Sequence, residues 1–135
     1  MKKGNVFLVF GILLLTAAVL SSGCKKKSTA VVPAFTITDV VVTLQSGGQG
    51  LEFYGKCNND DVKMTKAIVS DPLGQQTTTY NLNGDIYVSN QVFAMQAANT
   101  AYVKESGTWT FTFVGNRTAD GASFTVGGTL NVGAK

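Results

Sequence analysis

The sequence contains no histidine, two cysteines (Cys24 and Cys57), two prolines and few charges, only 14% of its residues being Asp, Glu, Lys or Arg. Without histidine the chain has no imidazole to serve as general base, zinc ligand or pH switch near neutrality. Two cysteines permit one disulfide at most, and none if either thiol is committed elsewhere. No apolar i, i+3, i+4, i+7 stripe runs through the body of the chain. The nearest candidate, Gln91–Ala101, is interrupted by Asn99-Thr100 and reads equally as strand and loop. A nucleophile elbow, metal-ligand spacing and a plausible carboxylate pair are missing too. Asp85, Glu105 and Asp120 all stand in or beside turns, where solvated carboxylates are the default and no apolar pocket raises a pKa. A hydrolase is therefore the remotest reading, and no cofactor is expected.

The formal charge of +3 belongs to the N-terminal part of the chain. Lys2, Lys3, Lys25, Lys26 and Lys27 supply it, whereas six Lys/Arg face eight Asp/Glu from Pro33 onward. The body is slightly acidic and has no basic stripe with interleaved aromatics, so a nucleic-acid partner is not expected.

What is present begins with a leader. Met1–Lys3 forms a short basic start, and Val6–Leu20 is an almost unbroken apolar run. As a helix, fifteen residues rise roughly 22 Å, short of the ~30 Å hydrocarbon core, which suits the apolar region of an export signal better than a permanent span. The run ends in Ser21-Ser22-Gly23, directly before Cys24. Read by itself, such a leader also fits an ordinary secretory signal cut near Ser22-Gly23, or an uncleaved anchor. Small residues followed at once by cysteine resemble the lipobox of bacterial lipoproteins, with one departure: Leu20 lies four residues before the cysteine and Ser21 occupies the usual leucine position. The resemblance implies cleavage after residue 23, acylation of Cys24 and a membrane-anchored product. Each buried CH₂ contributes ~0.8 kcal/mol, so two or three acyl chains hold a protein that one would not. Lys25, where an aspartate would retain a lipoprotein at the inner membrane, implies the outer membrane of the cell envelope. Residues 24–33 then read as a polar tether of at most ~35 Å, and residues 34–135 as one domain with room for a modest core.

That domain is patterned as strands and turns. In Gly107–Val114, Trp109, Phe111 and Phe113 alternate with Thr108, Thr110 and Thr112. After a loop at Gly115–Asp120, the segment Ala122–Val132 places Phe124, Val126, Leu130 and Val132 on one side, with Gly127-Gly128 suggesting a bulge or bend. These two segments form an antiparallel hairpin with one buried face. Upstream, Phe35–Gln45, Leu51–Cys57 and Lys63–Ser70 read as strands, the first with a phase change near Asp39. Asp71-Pro72-Leu73-Gly74 is a turn, and Asn83-Gly84 predicts a hairpin between Thr77–Leu82 and Asp85–Val88. Seven or eight short strands at this spacing predict an all-β, antiparallel sandwich of immunoglobulin or fibronectin III type. The closing GTWTFTFVGN and GASFTVGGTLNV resemble the last hairpin of Ig-like modules in secreted bacterial proteins. The chain as a whole resembles small Ig-like envelope lipoproteins of Gram-negative bacteria, a resemblance that transfers no active site.

Asn58-Asn59-Asp60-Asp61 is the densest group of oxygen ligands, and Asn58, Asp60 and Asp61 are the candidates for calcium. EF-hand spacing is absent, and the same residue types are what a plain turn prefers. Cys57 is in phase with Leu51 and Phe53 and is expected in the core. Trp109 is expected there too, among Phe111 and Phe113. Tyr54 and Tyr80 are the leading candidates for a ligand platform, with Tyr87 and Tyr102 behind them. The leading expectation is a lipid-anchored envelope module that binds a protein or a glycan; the alternative is a structural accessory subunit of an outer-membrane complex. A row of exposed aromatics would favour the glycan, and a bare apolar edge the protein.

Overall fold

The computed structural model describes residues 30–134; the leader, Cys24 and most of the tether lie outside them. The described chain is all-β, with strands β1 (Phe35–Thr43), β2 (Gln49–Cys57), β3 (Val62–Ser70), β4 (Thr77–Tyr87), β5 (Val92–Ala94), β6 (Tyr102–Val103), β7 (Gly107–Arg117) and β8 (Ser123–Val132). One antiparallel sheet has the order β1-β2-β5, with β6 pairing the same edge of β2 further along; the other has the order β4-β3-β7-β8. The two sheets form the sandwich that strand spacing predicts. Residue 33 also belongs to this body rather than to the tether: Pro33 is buried, and Asn59 Nδ2 donates to the carbonyl of Val32.

Alternation decides which faces meet. On β2, Leu51, Phe53 and Cys57 are buried while Glu52, Tyr54 and Lys56 are not; on β7, Trp109, Phe111 and Phe113 are buried between threonines. The aromatic rings interlock across the layers. Phe53 of one sheet lies 4.8 Å from Trp109 and 5.0 Å from Phe111 of the other, and Phe35 stacks on Phe113 at 4.2 Å. Each fully buried side chain of this size contributes about 1.5–3 kcal/mol, and well-placed aromatic pairs add about 0.5–1.5. The indole Nε1–H of Trp109 donates to the Glu105 carbonyl at 2.9 Å, so the largest core residue leaves no polar atom unpaired. Cys57 is buried as its phase predicts.

Three local expectations are corrected. Asn83-Gly84 does not close a hairpin: β4 runs through it from Thr77 to Tyr87. Both residues are left-handed, with φ of 56° and 76°, and they form an irregularity in which β4 has extra residues between its partners Met64 and Lys66 on β3. The same chemistry that makes Asn-Gly a hairpin turn also supplies the positive φ of a bulge. Leu82 keeps the inward phase of Thr78 and Tyr80, and beyond the irregularity that phase passes to Tyr87, opposite the buried Val62. β3 is bulged at the same level against β7, which shifts its buried set from Val62 and Met64 to Ala67 and Val69.

Gly127-Gly128 is not a bulge either. The β7–β8 register runs unbroken from Gly107↔Val132 to Asn116↔Ser123. Gly128 instead admits the opposite sheet, because a Cβ there would lie 2.7 Å from Ile37 Cδ1. Finally, Gly115–Arg117 belongs to β7, so the turn to β8 is shorter than the sequence suggests. The Asp71–Gly74 turn is present, with Gly74 N–H donating to the Asp71 carbonyl at 3.1 Å. β1 keeps one register along all of β2, while its less exposed positions pass from Phe35 and Ile37 to Val42, the change of phase near Asp39 that the sequence predicts.

Candidate functional site

The acidic turn after β2 is occupied by the protein itself. Asp60 Oδ2 accepts from Arg117 Nε at 2.5 Å, and Arg117 Nη1 reaches Asp120 at 2.7 Å. The hydrogen bond to Asp60, with the charges of Asp120 and Asp60 behind it, holds the Arg117 guanidinium above its ordinary pKa. Asp61 Oδ1 accepts from Ser89 N–H at 2.7 Å, while Asn58 bonds Thr36 and Asn59 accepts from Ala34 N–H. These contacts tie the start of β1, the β4–β5 connection and the β7–β8 turn to one loop. Among the described residues no group of three His, Cys, Asp or Glu side chains stands together as a metal site. One side-chain oxygen each of Asn58, Asp60 and Asp61 is engaged in joining loops.

The four tyrosines separate into two sets. Tyr54 projects from the outer face of its sheet, and its hydroxyl donates to Glu52 at 2.7 Å, a bond that raises its pKa. Tyr80, Tyr87 and Tyr102 are half-buried against the core. Tyr102 is the most constrained: its hydroxyl donates to the Met95 carbonyl at 2.7 Å, and burial pushes its pKa up to about 12. No exposed aromatic row forms among the described residues. Tyr54 and Tyr80 lie on different sheets and do not share a surface.

Two open sides remain on the sandwich. On one, β1 and β8 are neighbouring edges, and no described strand pairs with the free side of either. β1 is nine residues long, without bulge, proline, lysine or arginine, and Asp39 is its one charge. Its adjacent Val40 and Val41 are both nearly half exposed, at 49% and 46%. Edge strands are commonly blunted by lysine, proline, bulges, short length or an inward-pointing charge, and of these β1 has only the last, Asp39, in phase with the buried Phe53. By contrast, β4 carries the Asn83-Gly84 irregularity, β5 and β6 are short, and the outward residues of β8 are polar or glycine.

On the other side a solvent-open groove of about 380 Å³ lies between β4 and the β5–β6 connection, lined by Gln76, Thr78, Tyr80, Gln96, Thr100 and Tyr102 among others. Gln96 was not distinguishable in the sequence, where it sits in an aperiodic stretch. Its role follows from a gap in the sheet. β5 pairs with Tyr54–Lys56 of β2 and β6 with Gly50-Leu51, which leaves Phe53 between them, and Gln96 Oε1 accepts the Phe53 N–H at 2.8 Å. No protein-family model, curated protein or solved structure matches this chain.

Proposed function

We propose that the protein is a lipid-anchored module of the bacterial cell envelope that binds a protein partner by strand addition to β1. The bare β1 edge is the observation that carries this reading. Strand addition draws its affinity from main-chain hydrogen bonds and its specificity from alternate side chains. An incoming segment fitting this edge is extended and β-branched, with a basic residue placed opposite Asp39, the one charge of the strand. Acylation at Cys24 would confine the module to a membrane surface. The stretch between Cys24 and the folded body then spans at most about 25–30 Å, which keeps β1 near the bilayer.

The test is photo-crosslinking in intact cells with a photoreactive residue at Val40, compared with one at the exposed Thr79 of β4. The reading expects a discrete adduct from Val40 only, lost when Val41→Lys places a charge on the edge. It also expects Cys24→Ala to abolish labelling by a fatty-acid analogue and release the protein from membranes. Equal adducts at both positions, or adducts indifferent to Val41→Lys, would refute strand addition. Unchanged lipid labelling in Cys24→Ala would refute the anchor.

A further inference from the structure

We infer that the groove between β4 and the β5–β6 connection is a binding site for a neutral saccharide unit, independent of the β1 edge. The inference starts from a mismatch between strand geometry and residue type. Thr78 and Tyr80 pair across β4–β3 with Val69 and Ala67, both fully buried, so they project toward the interior side of their sheet. Yet Thr78 is exposed and Tyr80 only half-buried. The opposite sheet stops short here, because its edge is the irregular chain between β5 and β6 rather than a continuous strand. What would have been core is an open groove, and polar side chains line it.

Gln96 supplies a hydrogen-bond donor to the groove. Among the described residues it is the one polar side chain buried with the core, only 8% exposed. Because its partner at Phe53 is an N–H donor, the oxygen must face the strand, and the amide orientation is determined. Its Nε2 group is then left as a donor with no hydrogen-bond partner among the described residues, in a side chain that lines the groove. Among the described residues no buried side-chain nitrogen or oxygen lacks a partner, so this donor is open to solvent in the groove. Tyr102 and Thr100 donate their hydroxyl protons to the carbonyls of Met95 and Ala97, so both oxygens remain acceptors. Tyr80 adds a ring and a hydroxyl without a described partner.

The lining thus combines an aromatic face, an amide donor and hydroxyl acceptors, with no charged side chain. A phosphate, sulfate or carboxylate would find no countercharge. A sugar ring matches each element, presenting C–H groups to an aromatic face and hydroxyls that both donate and accept. The volume lies at the small end of the range for small-molecule sites, which suits one sugar residue of a longer glycan.

The experiment is a saturation-transfer NMR titration of the full chain in detergent with cellotriose, maltotriose and N,N′-diacetylchitobiose, using glucuronate and glucose 6-phosphate as charged comparators. Backbone amide shifts are followed in parallel. At least one neutral probe is expected to bind with a Kd of roughly millimolar order and to shift amides of Thr78–Tyr80 and Ala97–Tyr102. Tyr80→Leu, which keeps the bulk against the core but removes the aromatic face, is expected to weaken binding roughly tenfold. Thr78→Lys, at an exposed position, is expected to abolish it. Silence from all three neutral probes, equal binding of the charged comparators, shifts elsewhere on the domain, or unchanged affinity in Thr78→Lys would each overturn the inference. None of these outcomes bears on cross-linking at β1.

Discussion

Replacing Gly115 with alanine sets a methyl group against the main-chain oxygen of Lys63, with the Phe124 ring also within 3.0 Å. The clash with Lys63 is closer than real Cβ atoms approach, and the neighbour is backbone, so no rotamer change relieves it. Lys63 is also flanked by β4 and β7 and adjoins the β3 bulge, where register is already irregular. Overpacking of this kind costs about 1–3 kcal/mol. Against it stands the smaller unfolded-state entropy of alanine, which favours the variant by about 0.4–1 kcal/mol. Gly115→Ala should therefore lose about 1–2 kcal/mol. Gly127→Ala on the paired strand is the control: its Cβ would meet nothing nearer than the Phe111 oxygen at 3.8 Å, an ordinary contact. Only the entropic gain should remain there. For a domain of this length, about 4–8 °C of melting temperature per kcal/mol separates the two variants by roughly 10 °C. Thermal and urea melts of both proteins measure this, with an unchanged m-value showing that the native and unfolded states are comparable. Gly115→Ala melting at or above Gly127→Ala would refute the close approach of β7 to β3.

Two further perturbations probe the core. Tyr102, with a native pKa of about 12 against an ordinary 10, holds its proton more tightly when folded, so its contribution to stability is full below pH 10 and declines as pH rises from 10 to 12. Phenolate absorbance should show one tyrosine ionising well after the others, with melting temperature falling across that window; all four titrating together near pH 10 would contradict its burial and its bond to Met95. In Cys24→Ala, Cys57 is the sole thiol and is 1% exposed, so a thiol reagent should label it only as fast as the domain opens. Rapid labelling of native protein would remove it from the core.

Much of the architecture is legible in the chain because period-2 alternation carries it. Trp109, Phe111 and Phe113 against their threonines, and Leu51, Phe53 and Cys57 against Glu52, Tyr54 and Lys56, define two faces without reference to any partner strand. The Asp71–Gly74 turn is equally local, since proline and glycine set its dihedrals. The glycine readings failed where the same residue serves different ends. Asn83-Gly84 supplies positive φ to a hairpin or to a bulge alike, and only pairing with β3 selects between them. Gly128 is read locally as a break in a strand, whereas its missing Cβ makes room for Ile37 from the other sheet.

The candidate site divides in the same way. The proposed anchor rests on a purely sequential signal, small residues directly before Cys24. Tyr80 stands out as a ligand platform by residue type, but nothing in its neighbours indicates a groove. The groove exists because β5 and β6 are short and separated, and because Gln96 bonds across the resulting gap at Phe53. These partners are 43 residues apart in sequence, and no local propensity encodes such a contact. Sequence by itself determined the alternation, and with it the β class, the buried aromatic face and the slight acidity of the domain. Tertiary structure alone decided which edges are left bare and which inward-facing positions meet a cavity instead of a core, since both depend on where the opposite sheet ends.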